Sequence, residues 1–184
     1  MIKDYFSTPV GFYNYNLTDN LKDQLVNASN KGFKHLWNDC ELTNEMRDLY
    51  FFITNNVMEY SNRQNFKNYM SGVKPICVEA TMNWQYPGKW FALHSHTHSH
   101  IASVFYVNAH EDCGDLCLVD PRGDNNWTDR IDRGVLNTSY ERIQPKDGLL
   151  VVFPGWLSHM VEPNTSDKVR ISIVTNFYLK RQYS

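Results

Sequence analysis

The sequence predicts an α+β fold, mainly β, in which helices in the first third support a β-sandwich or barrel built by the rest of the chain. Three observations carry that prediction. Before about residue 74, apolar residues recur at three- and four-residue steps. From Pro75 onward, short runs rich in β-branched and aromatic residues alternate with turn residues. Helices first and strands afterwards suit a layered α+β arrangement rather than repeated βαβ units. With 184 residues the chain can bury a core of its own, so one domain is expected over 1–184, with about 1–74 as helical support and 75–180 as the β core.

Taken in order, the first helix is expected in TDNLKDQLVNAS, beginning at Thr18 or Asp19 and turning Leu21, Leu25 and Val26 inward. A longer one is expected in ELTNEMRDLYFFITNNVMEYSNRQNF, where Met46, Leu49, Tyr50, Ile53, Val57 and Tyr60 form one face and Thr43 or Asn44 caps the start. The strands are PICVEATMNWQY, then IASVFYV after a turn at PGK, then DLCLVD, GLLVVF and VRISIVTNFYL. Between IASVFYV and DLCLVD, the segment AHEDCG reads as a hairpin turn around Asp112, Gly114 and Asp115. Residues 121–145 are polar and weakly periodic, an extended loop with edge strands of the kind that often overlies an active site.

Composition narrows the function. A hydrophobic content of 42% excludes a disordered chain, and a formal charge of −2 gives no basic field for a nucleic acid and no polybasic run for a membrane surface. No nucleic-acid or membrane partner is expected. The four cysteines, Cys40, Cys77, Cys113 and Cys117, are too few and too irregular for a disulfide framework, and the first residues show no basic-then-apolar leader. A soluble cytoplasmic protein is expected. An exposed edge strand would offer a pairing surface for a second copy, so a homodimer is a candidate assembly.

The densest chemistry lies in HSHTHSH, residues 94–100, with four of the seven histidines. On one strand all four would share a face, yet the first and last would sit roughly 20 Å apart, too far to share an ion. An i, i+2 pair at a strand end, His94 and His96, can occupy adjacent positions on one metal. A third ligand must come from elsewhere, and His159 in FPGWLSHMVEP follows a strand that should end at the same mouth. Eleven residues on, Arg170 and Ser172 share one face of VRISIV. A guanidinium directed into a barrel cannot shed its charge and needs an anion, and a dicarboxylate cofactor would supply one.

These segments, WQYPGKWFALHSH, IASVFYV, DLCLVDPRG and DGLLVVFPGWLSHMVEPNTSDKVRISIVTNF, resemble the small iron and 2-oxoglutarate dependent oxygenases common in phages and marine bacteria, relatives of the prolyl hydroxylase-like oxygenases. The resemblance covers roughly residues 80–177, and its most specific part is the late block with Phe153, Pro154, Trp156, His159, Pro163, Asn164, Arg170, Ser172 and Asn176. It implies a double-stranded β-helix, of the jelly-roll or cupin type, for the core at 75–180. It also implies one Fe(II) held by His94, His96 and His159, and 2-oxoglutarate clasped by Arg170 and Ser172, with ascorbate as a candidate reductant. Tyr86 is a further candidate for the cofactor carboxylate. The implied reaction divides dioxygen between 2-oxoglutarate and an unidentified substrate, small molecule or peptidyl residue, giving succinate, carbon dioxide and a hydroxylated product. If the gene is carried by a phage, the implied location is the host cytoplasm.

Many relatives carry aspartate where this chain has His96, so its three ligands are neutral and leave the ferrous ion one more net positive charge. His98 and His100 are expected as neighbours of the site rather than ligands. Cys113, Cys117 and His110 lack C-x-x-C spacing and are explained by the turn, so no zinc is expected there. Two other readings stay open: a three-histidine cupin-type metalloenzyme without 2-oxoglutarate, for which Arg170 has no necessary role, and a metal-stabilised binding jelly roll without turnover.

Overall fold

The computed structural model describes residues 7–29, 35–39, 41–63, 73–122 and 140–181. Nine strands and three helices occur among them: β1 (Gly11–Asn14), α1 (Asp19–Ser29), α2 (Leu36–Asp39), α3 (Asn44–Arg63), β2 (Val73–Gln85), β3 (Phe91–His94), β4 (Ile101–Asn108), β5 (Leu116–Val119), β6 (Tyr140–Ile143), β7 (Leu149–Pro154), β8 (His159–Val161) and β9 (Arg170–Arg181). Two antiparallel sheets result, one ordered β1-β7-β4-β9-β2 and the other β3-β8-β5-β6. From β3 onward the chain passes repeatedly from one sheet to the other, which is how a double-stranded β-helix is wound.

The helices form where their caps and apolar stripes require. Thr18 Oγ1 accepts the Leu21 N–H at 3.1 Å and Thr43 Oγ1 accepts the Met46 N–H at 3.2 Å, each taking up a donor the first helical turn cannot satisfy itself. Leu21 and Leu25 of α1 and Met46, Leu49, Ile53 and Val57 of α3 then pack as one core on the outer face of the five-stranded sheet. None of the described helices is long and apolar enough to cross a membrane.

That sheet is covered on both sides, which explains its nearly continuous apolar strands. In β4, Ile101, Phe105 and Val107 face the helices, while Ala102, Val104 and Tyr106 face the second sheet. In β9, Ile171, Ile173 and Phe177 join the helical core and leave Arg170, Ser172, Val174 and Asn176 on the opposite, inward face. β2 reaches the matching phase through a bulge. Cys77 pairs with Phe177 but Glu79 pairs with Asn176, so Val78 is the extra residue. Ala80, Met82 and Trp84 thereby pack toward the helices, and Glu79, Thr81, Asn83 and Gln85 pair with the inward row of β9. Were Val78 paired in regular register, the side chains from Glu79 onward would exchange faces.

Two expectations change. The segment AHEDCG makes a turn, with Asp112 at φ 61° and Gly114 at φ 89°, but it closes no hairpin. Both edges of β4 are already paired, with β7 and β9, so β5 has no edge to join and instead pairs β6 and β8 in the other sheet. The helical first third also supplies a strand, since β1 adds to the free edge of β7. Of the polar segment 121–145, the edge strand β6 is described, and 123–139 lie outside the described residues.

Gly114 ties this crossing to the rest. A Cβ there would meet the Glu162 carbonyl oxygen at 2.2 Å, whereas Gly88, at φ 76°, has nothing within 4 Å. Gly88→Ala should therefore cost about 1 kcal/mol from backbone strain alone, and Gly114→Ala more than ~2 kcal/mol because backbone must also move. Urea denaturation of the two variants checks the order.

Candidate metal centre and its cavity

β3 ends at His94, and the chain leaves the sheet through a turn in which Ser99 N–H donates to the His96 carbonyl at 2.9 Å. The every-other histidines therefore do not share one strand face. His94 stays opposite His159, its Cα partner on β8, and His96 is brought in by its own N–H, which donates to the Gly155 carbonyl at 2.8 Å. Gly155 is required at that crossing: a Cβ would lie 2.1 Å from the Ser99 carbonyl oxygen. His98 is exposed at the tip of the turn, and His100 accepts the Leu179 N–H and sits edge-on to Tyr178 at 4.5 Å.

His94, His96 and His159 each present a ring nitrogen, and the three lie within 4.8 Å of one another. Among the described residues this is the one such group of histidine, cysteine or carboxylate side chains. His94 Nδ1 lies 2.7 Å from the Ala92 carbonyl and His159 Nδ1 2.9 Å from that of Leu157. A carbonyl can only accept, so both protons sit on Nδ1 and both Nε2 atoms keep a lone pair for a cation. The Nε2 atoms of His96 and His159 are 3.3 Å apart. Two imidazoles bound about 2.1 Å from one ion at angles of ~90–110° would stand ~3.0–3.4 Å apart, so the spacing fits a shared metal. Burial lowers the His159 pKa to about 4 and also lowers that of His96, with the nearby His94 adding to it. Both rings are therefore neutral at neutral pH, the form in which an imidazole can bind a cation.

Behind the triad lies a cavity of about 120 Å³, room for about four waters at ~30 Å³ each. Its apolar wall includes Val104, Leu116, Phe153 and Val174, and its polar end is made by Arg170, Ser172, Tyr106 and Asn83. Register explains that polar end. Ser172 is the Cα partner of Tyr106 on β4 and of Asn83 on β2, which places three polar side chains abreast across three strands. Arg170 is 3% exposed; one guanidinium nitrogen donates to the Gly114 carbonyl at 2.9 Å, and Nε has no hydrogen-bond partner. No carboxylate pairs with it among the described residues. Burial lowers its pKa, with Tyr106, Cys113 and Asp115 opposing, yet arginine keeps its proton at any physiological pH. A buried cation with one orphan donor is matched to a small anion. Burial raises the Tyr106 pKa, so its phenol keeps its proton as well.

Of the six sequence-predicted site residues, the structure brings His94, His96, His159, Arg170 and Ser172 around one cavity and leaves Tyr86 outside it. Tyr86 is 54% exposed, just past the end of β2, because the bulge-set phase turns Asn83 rather than Tyr86 inward. Sequence reasoning missed Tyr106 and Asn83. For Tyr106 a signal existed, a phenol spaced two and four residues from Val104 and Ala102 in a strand otherwise almost wholly apolar.

Residues 80–176 match the model of a family described as "Putative 2OG-Fe(II) oxygenase". A comparison with curated proteins gives no match. Among solved structures, the chain resembles a Pseudomonas putida prolyl-4-hydroxylase with a TM-score of 0.61 at 17% identity, over 96% of this chain and 90% of that one. HygX from Streptomyces hygroscopicus, solved with nickel and 2-oxoglutarate bound, gives 0.62 at 8% identity, over 92% and 81%. An oxidoreductase of the 2OG-Fe(II) oxygenase family from Burkholderia pseudomallei gives 0.52 at 12% identity, and there the chain spans only 60% of the other protein while 74% of its own length is covered. At these identities the structural likeness shows a shared fold.

Proposed function

The chain belongs to the 2OG-Fe(II) oxygenase family, oxidoreductases whose cofactors are ferrous iron and 2-oxoglutarate, and from that premise we propose a hydroxylase with a stated division of roles. His94, His96 and His159 hold the iron. Arg170 and Ser172 hold the carboxylate of 2-oxoglutarate remote from the metal. The observation that carries this is the pairing of three convergent imidazoles at one end of a single cavity with a buried, partly unsatisfied guanidinium at the other.

When bound, the metal and cofactor supply activated dioxygen, one atom of which leaves in succinate and the other in the hydroxylated substrate. The protein's part is to hold and to exclude. The carbonyls of Ala92 and Leu157 fix the rings of His94 and His159 so that Nε2 points at the ion. Arg170 is itself oriented by the Gly114 carbonyl, leaving Nε for the incoming carboxylate. The Tyr106 phenol and the Ser172 hydroxyl add neutral donors at that end, and Val104, Val174 and Leu116 keep bulk water from the space between. The buried thiols Cys113 and Cys117 are free, which supports a reducing location such as the cytoplasm.

Anaerobic addition of Fe(II) and then 2-oxoglutarate should produce a visible metal-to-ligand charge-transfer band. Folded, iron-loaded protein that shows no such band would overturn this assignment and favour the cupin-type reading.

A further inference from the structure

We propose that the second substrate is an organic cation, an ammonium or guanidinium group held by Glu79 and Asn176 beside the metal centre. The inference rests on the reading above, because it assigns the side of the site left free once Arg170 holds the cofactor. The inward row of β9 runs Arg170, Ser172, Val174, Asn176, Tyr178, and the first three line the cavity. Asn176 and Tyr178 continue that row beyond the cavity lining, at the end away from Arg170.

Two acceptors meet there. Asn176 is 5% exposed and donates its Nδ2 to a Glu79 carboxylate oxygen at 2.6 Å. That bond fixes the amide, so Oδ1 is the end left over, and it is buried without a partner. A buried acceptor of this kind calls for a donor that arrives with a ligand. Glu79 is held by a second bond from Thr81 Oγ1 at 3.2 Å, is exposed, and has no ion-pair partner among the described residues. Across the sheet one row runs Phe153, Ala102, Asn176, Glu79, and Phe153 packs edge-on to His159 at 4.9 Å, so the pair lies on the triad's side of the sheet. Carboxylate plus amide oxygen is an acceptor-only pair, and multiple N–H donors on one positive group satisfy both.

The bulge in β2 makes this site. In unbroken register Val78 would stand opposite Asn176; the extra residue puts Glu79 there instead. One step outward, Tyr178 is 49% exposed and braced edge-on by His100, an aromatic surface on which a cation can rest. A neutral three-histidine ligand set adds no negative charge of its own, so Glu79 is the group that offsets an incoming positive charge beside the metal.

The test uses anaerobic protein loaded with Fe(II) and 2-oxoglutarate, titrated with n-butylammonium, butylguanidinium or pentanoate. Binding is read by perturbation of the charge-transfer band and by calorimetry. The cations should bind and pentanoate should not. Glu79→Gln should weaken cation binding roughly tenfold, the worth of one charge-assisted hydrogen bond, while Glu79→Lys should reverse the preference toward pentanoate. Free lysine against N-acetyl-lysine methylamide then tells a small-molecule cation from a peptide side chain, and binding of either supports the assignment. A normal band with equal cation binding by wild type and Glu79→Gln, or with pentanoate binding as well as butylammonium, overturns this inference and leaves the cofactor reading standing. A missing band removes the cofactor reading, and this one with it.

Discussion

His159→Ala protein is expected to emerge from anaerobic Fe(II) loading and desalting with almost no iron, and to form no succinate above background. Loss of one of three ligands should weaken metal affinity by at least ~100-fold, since loss of a group that merely orients a ligand already costs ~10–100-fold. The same change removes a buried ring that stacks on His96 and packs edge-on to Phe153, so the metal-free fold should also lose about 1–3 kcal/mol. His94→Ala separates the two effects. His94 is exposed, so its removal should cost iron with little change in metal-free melting temperature. His98→Ala, at the exposed tip of the turn, should load iron as wild type does. Iron content measured by mass spectrometry decides among these, and normal iron in a folded His96→Ala protein would show that the wrong histidine had been placed on the metal.

Why these residues were legible in the sequence, and others were not, follows from where the information sits. His94 and His96 are two residues apart, and Arg170 and Ser172 share a strand face, so local spacing alone puts each pair together. The helical stripes of α1 and α3 are equally local, and Thr18 and Thr43 cap as their positions imply. What failed depended on partners distant in the chain. The turn around Asp112 and Gly114 has the composition of a hairpin, and only the occupancy of both edges of β4 shows that it must cross between sheets. Tyr86 extends the sequence of β2, but one bulge residue, Val78, sets which side of that strand looks inward. Nothing in VKPICVEATMNWQ marks the bulge, because its reason is the inward row of β9, nearly a hundred residues later. β1, at four residues, is too short to display alternation and is recognised only by its pairing with β7.

Arg170→Ala should separate the cofactor from the metal. Its iron content should match wild type, because the guanidinium touches the Gly114 carbonyl and faces the Tyr106 ring but none of the three histidines. The concentration of 2-oxoglutarate giving half-maximal charge-transfer absorbance should rise by ~30-fold or more, given about 1.5–3 kcal/mol for each hydrogen bond to a charged partner. Arg170→Lys restores the charge but not the planar fork and should fall between the two. Stability gives an independent reading. Removing a buried cation that has no carboxylate partner relieves a desolvation cost, so the cofactor-free Arg170→Ala protein should unfold at a urea concentration no lower than expected for a simple side-chain truncation. Added 2-oxoglutarate should then stabilise wild-type iron-loaded protein against urea and do far less for the variant, because a ligand that binds only the native state shifts stability in proportion to its occupancy. If Arg170→Ala instead loses iron, or binds 2-oxoglutarate within about threefold of wild type, Arg170 does not hold the cofactor; threefold is well under 1 kcal/mol, too little for a lost charged pair. The cupin-type reading, in which this arginine need meet no carboxylate, would then account better for the cavity.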